Sequence, residues 1–370
     1  MKQFWRRNVH TVFIMQGNSC NMNCAYCLQH PLVHEPLSKD INPEIYDFLA
    51  QLAEENESGR IHLQFYGGEP LIYFPVMKKI IEETRKRKIS CTYSTISNGR
   101  ALTDEMVDFL NDHEIPVTIS WDGYHTKDTR RFDIFADETL KARILKLDRL
   151  GLSGVISSKA YPLEILEAFQ NISDAYEAIH GYKVRVNLDE IFDTGIRNRW
   201  LLDVDYNRVS HDMHRMARQY LAFRISGKGN PADYTKLAYM DGFFQQLRHF
   251  YAEGNGNWNA YTAACGNGLS VLNMDLKGNL YPCHNMSKSI GNMHTPFFTY
   301  LQRLLAGDAT MVRREKCLAC PALACCKGGC KLVSERAREG TYCRLKQAVI
   351  TPVIHAFEAY GRQMAGDGHG

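Results

Sequence analysis

The sequence has no apolar run approaching the ~18–20 residues that a membrane-spanning helix requires. It also lacks a large charge of either sign. Its 44 Lys and Arg against 41 Asp and Glu leave a net +3, too little to argue for a nucleic acid or an anionic membrane as partner. Internal repeats and low-complexity tracts are missing too, which removes solenoids and unstructured recognition tails from consideration. The opening MKQFWRRNVHTVFIMQG is basic, but its apolar stretch is too short for a secretory signal. The expectation is a cytoplasmic protein with no nucleic acid and no membrane among its partners.

What is present in quantity is cysteine, and a reducing compartment excludes a disulfide framework for it. Of the twelve, three lie at 20–27, one is Cys91, and eight fall between Cys265 and Cys343. Clustering toward two ends of the chain predicts two metal-binding regions. A hydrophobic content of 45% and a charged content of 23% are those of a folded globular chain, and 370 residues exceed one ordinary core. Apolar runs alternate with helix-period segments through the first half, a βα pattern. Strands are predicted at 11–15, 61–66, 91–96, 116–120, 153–158 and 182–188, with helices at 43–56, 71–88, 104–113, 137–150 and 162–179. The fold class expected is α/β, a partial (β/α)6 TIM-like barrel over residues 1–200 with a C-terminal cysteine-rich domain at 261–370. A helical connecting segment at 201–260 joins them, and GNGN (254–257) reads as a linker. The last domain holds a hairpin at 269–283 and a closing helix at 343–362.

The short motifs follow the predicted strands: SCNMNCAYC (19–27), GGEP (67–70), SNG (97–99), WDG (121–123) and Asp189-Glu190. Strand ends of parallel α/β barrels converge on one face, where catalysis occurs, so one active site gathers these motifs. Cys20, Cys24 and Cys27 form a C-x3-C-x2-C array, one thiol short of a structural zinc site or an ordinary iron–sulfur site. Residue chemistry alone leaves two readings open: zinc with His30 or His34 as fourth ligand, and an iron–sulfur cluster with one open corner. Asp122, Asp189, Glu190 and His284 are candidates for taking up a proton. The basic run Lys78, Lys79, Arg85, Lys86, Arg87 and Lys88 has acidic neighbours and reads as a solvated helix face. His211 and His214 share a helix face without carboxylates and read as surface residues. Cys91 reads as a buried apolar residue.

SCNMNCAYC followed by GGEP resembles the radical S-adenosylmethionine superfamily. The resemblance implies a 4Fe–4S cluster on Cys20, Cys24 and Cys27, with S-adenosylmethionine chelating the open iron. It also implies Tyr26 beside the cluster and adenine, Gly67, Gly68 and Glu69 at the amino group of the cosubstrate, and Asn98 and Ser120 as further contacts. Arg130 and Arg131 could reach its carboxylate, though paired arginines in a loop are more often solvated. The C-terminal set, Cys265, Gly278-x4-Cys283, Cys317-x2-Cys320-x5-Cys326-x3-Cys330 and Cys343, resembles the SPASM domain of radical enzymes that modify peptides and proteins. That resemblance implies two auxiliary iron–sulfur clusters. The distal one takes Cys317, Cys320, Cys326 and Cys343, and the proximal one takes Cys265, Cys283 and Cys330 without a fourth cysteine. Cys325 is then spare.

The implied activity is that of a maturase cross-linking a ribosomally made precursor peptide through a C–C, C–O or thioether bond, with flavodoxin or ferredoxin as reductant. An alternative within the resemblance is an anaerobic sulfatase maturase forming formylglycine. Those enzymes resemble one another in an aspartate directly after the Gly-x4-Cys cysteine, where this chain has His284. An alternative of another class is a zinc-stabilised peptide-binding protein that docks an acidic partner on its basic helix.

Overall fold

Burial alternates along the first strand, β1 (Thr11–Met15), with Val12 and Ile14 fully buried and Thr11, Phe13 and Met15 partly open. The same period of two runs through β2 (Ile61–Tyr66), where Ile61, Leu63 and Phe65 are buried. One face of the sheet thus packs under helices, while the other, carrying Phe13, His62, Gln64 and Tyr66, lines a concave interior. The computed structural model describes residues 9–29, 40–196, 198–253, 265–266, 268–307 and 315–366. His30, His34 and the linker at 254–257 lie outside the described residues.

Helices α1 (Glu44–Glu55), α2 (Phe74–Lys86), α3 (Asp104–Asp112), α4 (Thr126–Arg130), α5 (Glu138–Leu145) and α6 (Pro162–His180) separate β1, β2, β3 (Cys91–Ser97), β4 (Val117–Ser120), β5 (Leu150–Ile156) and β6 (Arg185–Glu190). Local signals set their ends. Thr103 caps α3 by accepting from Met106 N, Asp137 caps α5, and α6 opens on Pro162 and stops at left-handed Gly181. All six strands pair in parallel in the order β6-β5-β4-β3-β2-β1.

Several boundaries differ from expectation. The helix predicted to reach 150 stops at Leu145, and β5 begins at Leu150 rather than 153. Gly151 and Gly154 hide the start of this strand from a propensity reading, yet Gly154 is required there: a Cβ would lie 2.9 Å from both Ile165 Cγ2 and Trp121 O. Asp189 and Glu190 are the last two residues of β6, not the loop after it.

Beyond α7 (Tyr206–Ser226) and α8 (Tyr234–Glu253), the sheet resumes. β7 (Val271–Asp275) pairs in parallel with β1, Phe13 opposite Asn273, and β8 (Asn279–Tyr281) and β9 (Gly291–Asn292) follow antiparallel. The predicted cysteine-rich region therefore starts as a continuation of the barrel sheet. It continues through α9 (Phe297–Gly307), three short turns α10 (Glu315–Leu318), α11 (Leu323–Cys326) and α12 (Glu335–Ala337), and the long α13 (Cys343–Gly366), which packs along α7.

Candidate active site at the strand ends

The cysteine loop is fixed by backbone laid directly on backbone. After β1 and β2 end, Gly68 N donates to Gly17 O (2.9 Å) and Glu69 N to Ser19 O (2.9 Å). A Cβ on Gly68 would sit 2.1 Å from Ser19 O, and one on Gly67 2.3 Å from Gly17 O. The paired glycines of GGEP thus let this loop lie against the cysteine loop. Ser19 N also donates to the Tyr73 hydroxyl (3.0 Å).

Glu69 is only 1% exposed. One carboxylate oxygen accepts from Ser97 Oγ (2.6 Å) and Leu71 N (2.9 Å), and the other from Asn98 N (2.7 Å). Burial raises its pKa and these hydrogen bonds oppose the rise. The acid expected at the cosubstrate's amino group is turned into the fold, bracing the ends of β2 and β3. Asn98 does face the cysteine loop, its Nδ2 lying 3.6 Å from Cys20 Sγ and 2.9 Å from Asn21 Oδ1. Ser120 ends β4 half-buried on the concave side.

Asp122 also takes a place other than the expected one. Its Oδ2 accepts from the Tyr26 hydroxyl and Thr129 Oγ1 (2.6 Å each), and its Oδ1 from Val155 N (2.9 Å) and Arg130 Nη2 (3.1 Å). A buried carboxylate with both oxygens doubly engaged is not a free proton acceptor. It is the hub joining the cysteine loop, α4 and β5. The Arg130 guanidinium lies 5.4 Å from the Tyr26 ring centre and is consumed in this network, whereas Arg131 is exposed. Tyr26 is thus locked between the second and third thiols.

At the mouth, Asp189 is open to solvent but walled closely by protein, and this desolvation raises its pKa, with neighbouring Glu190 adding to the rise. Glu190 is paired, 2.6 Å from Lys346 Nζ. His284 stacks on Phe13 (4.6 Å between ring centres, 9° between planes) and meets Tyr66 edge-on at 4.3 Å. Burial pulls its pKa down to about 4, so the imidazole is neutral. Sequence reasoning missed Tyr66. It ends β2 directly before the glycine pair, and its hydroxyl feels Cys283, Cys27 and Asp189 at once. That position against GGEP was the available signal.

The C-terminal thiols fall into two groups by mutual electrostatic influence. Cys283 interacts with Cys330 and Cys265, while Cys326 interacts with Cys343 and Cys320. Cys317 O accepts from Cys320 N in one turn (3.1 Å). Amides point at sulfur in each set: Met22 N on Cys20 (3.4 Å), Asn285 N on Cys283 (3.5 Å) and Gln347 Nε2 on Cys320 (3.6 Å). Burial pushes Cys24 up to about 12 and Cys283 and Cys326 to about 11, and a coordinated metal deprotonates such thiols outright. Among the described residues no three His, Cys, Asp or Glu side chains converge as tightly as one metal ion requires. Donor chemistry and N–H···S contacts fit iron–sulfur clusters.

Residues 14–158 match the Radical SAM superfamily. Over its length the chain is 21% identical to a cysteine-type anaerobic sulfatase-maturating enzyme of Clostridium perfringens, across 85% of this chain and 86% of that one. It is 22% identical to the radical SAM cyclopropyl synthase TigE of Paramaledivibacter caminithermalis, across 38% of this chain, and spans only 33% of that relative's length. Among solved structures, anSMEcpe with bound AdoMet and Kp18Cys peptide superimposes with a TM-score of 0.67 at 17% identity, covering 96% of this chain and 99% of that one. SuiB of Streptococcus suis bound to precursor peptide SuiA gives 0.54 at 14% identity, covering 88% and 72%. The fold is shared with both, and residues 14–158 of this chain are a radical SAM domain.

Proposed function

We propose that the chain is a radical SAM maturase that oxidatively cross-links a peptide, with Cys20, Cys24 and Cys27 holding the 4Fe–4S cluster that opens onto S-adenosylmethionine. When bound, that pair supplies one-electron cleavage of the cosubstrate to a 5′-deoxyadenosyl radical, which removes a hydrogen atom from the substrate. The protein's part is placement. Asp122 and the glycine pair hold the thiol loop, Tyr26 and Asn98 flank it, and Tyr66 and His284 floor the mouth on the other side. The observation carrying the reading is that Tyr66, directly before the glycine pair laid on the cysteine loop, meets His284, the neighbour of Cys283, edge-on at 4.3 Å, so substrate there would lie between the radical source and the auxiliary region. Of the four acids at the strand ends, Asp189 keeps the most open carboxylate and would take up the proton as the substrate is oxidised; clusters held by the C-terminal cysteines would supply the acceptor for the second electron. Flavodoxin or ferredoxin would supply the reducing electron.

A second reading, formylglycine formation on a sulfatase, is supported by the whole-length similarity to the Clostridium enzyme. His284 favours the first reading: a buried imidazole stacked on Phe13 stands where the maturase resemblance implies a carboxylate base. Under strict anaerobiosis with S-adenosylmethionine and dithionite, a precursor peptide encoded beside this gene should lose two hydrogens per modification. A cysteine-type sulfatase peptide should yield only 5′-deoxyadenosine. Formylglycine in the sulfatase peptide, read by mass spectrometry, overturns the cross-linking assignment.

A further inference from the structure

Glu190 and Lys346 form a contact that the proposed chemistry leaves unused. Glu190 closes β6 at the barrel mouth, beside Asp189, while Lys346 lies in the first turn of α13, three residues after Cys343. Their charged groups meet at 2.6 Å with the side chains only 12% and 23% exposed. The same helical turn carries Cys343 and Gln347, whose amide reaches Cys320 Sγ at 3.6 Å. Lys346 in turn acts electrostatically on both Cys325 and Cys326 and lies 5.9 Å from the centre of the Tyr342 ring. One ammonium is therefore shared between a carboxylate of the mouth and the thiols of the distal set.

We infer that Lys346 sets the reduction potential of a cluster bound by Cys317, Cys320, Cys326 and Cys343, and that Glu190 restrains its effect. This rests on the assignment of those four cysteines to a cluster. Reduction adds one electron to an assembly of iron, sulfide and thiolates, making it one unit more negative. A fixed cation nearby stabilises that state over the oxidised one, strongly so where water is sparse. Lys346 therefore raises the potential, favouring electron acceptance from substrate. Glu190 supplies the opposing charge, so deleting it raises the potential further. Because Glu190 belongs to β6, charge at the mouth is tied to the ease of reducing a centre in another part of the fold.

A purely structural ion pair makes a different prediction, since losing either partner would then only loosen the packing of α13 against β6. The test is an EPR-monitored redox titration of the anaerobically reconstituted full chain, following the signal that Cys320→Ser removes. Lys346→Gln should shift the midpoint potential down, Glu190→Gln should shift it up, and Lys346→Arg should leave it near the wild-type value. If Lys346→Gln does not fold, the upward shift in Glu190→Gln carries the sign test alone. A midpoint unmoved, or moved the same way by both neutral variants, with iron content intact, overturns the inference and leaves the cluster assignment standing. If Cys320→Ser removes neither a signal nor any iron, the cluster assignment fails and the inference with it.

Discussion

Between Gly17 and Cys27 the chain is held by the rest of the barrel: backbone pairs with the GGEP loop, the Tyr73 hydroxyl, Asn98 and the Asp122 hub all grip it. Between Glu315 and Tyr342 the means are different. The helices there are three to five residues long, and Lys327, Gly328 and Gly329 follow one another in left-handed conformation. A small core of its own, Val333, Ala337 and Tyr342, packs with Phe192 and Cys330. Buried Arg338 substitutes for regular structure by donating to the carbonyls of Val333, Gly328 and Cys330. The first region is a preformed cradle. The second has little regular structure of its own, and on the proposed cluster assignment its order would depend on what its thiols bind.

The largest effect should come from stripping iron. Chelation under reducing conditions should cost amides in 315–342 roughly 10³-fold or more in hydrogen-exchange protection, because metal binding there is folding free energy. Amides of β1 to β6 should keep theirs. Equal loss in both regions, or none in 315–342, would break the comparison.

Next in size is the hub. Asp122→Ala removes the acceptor of four hydrogen bonds and leaves Arg130 buried without its counter-charge, a change worth about 3–5 kcal/mol of stability. Tyr26→Phe removes one hydrogen bond to the same carboxylate and should cost about 2 kcal/mol. Denaturant titrations of the iron-free protein measure both. If the tyrosine variant lost as much as the aspartate variant, the loop and not the hub would be the anchor.

Residue patterns made much of this visible in advance, and the misses have physical causes. Val12, Ile14, Leu63 and Phe65 alternate with polar or half-open neighbours, so β1 and β2 could be read directly. The start of β5 could not, because its glycines answer to close packing against α6 and Trp121, a tertiary requirement that propensity does not carry. Nor could the pairing of β7 with β1, where partners Phe13 and Asn273 lie 260 residues apart in the chain. The cysteine spacings could be read from the chain because ligand spacing is local and chemical. Asp122, Glu69 and Glu190 were nominated for open roles since a sequence shows an acid but not whether its oxygens are already taken. Lys346 drew no notice at all, being one lysine on a helix until the fold brought Glu190 to it.

The smallest effect concerns the barrel interior and pH. His62 on β2 places Nε2 2.6 Å from Ser94 Oγ and Nδ1 2.9 Å from Thr92 Oγ1, while Ser94 Oγ donates to Gln64 Oε1 at 2.7 Å. With the Ser94 proton spent on Gln64, the serine accepts from Nε2–H, and Nδ1 accepts from Thr92. Burial, helped by nearby His10, lowers the pKa of His62 below the ordinary value near ~6.5. In the window just below that value the unfolded chain therefore binds a proton that the folded barrel refuses. This part of the stability is complete above the window and declines as pH falls toward the folded pKa. Thr92 can turn to accept from a protonated ring, which keeps the penalty small. Urea midpoints of the iron-free protein, compared between about pH 7.5 and about pH 5.5, should fall more steeply for wild type than for His62→Gln. Parallel curves for the two proteins would place the acid sensitivity elsewhere, and a barrel interior indifferent to pH would sharpen the contrast with the thiol-dependent C-terminal segment.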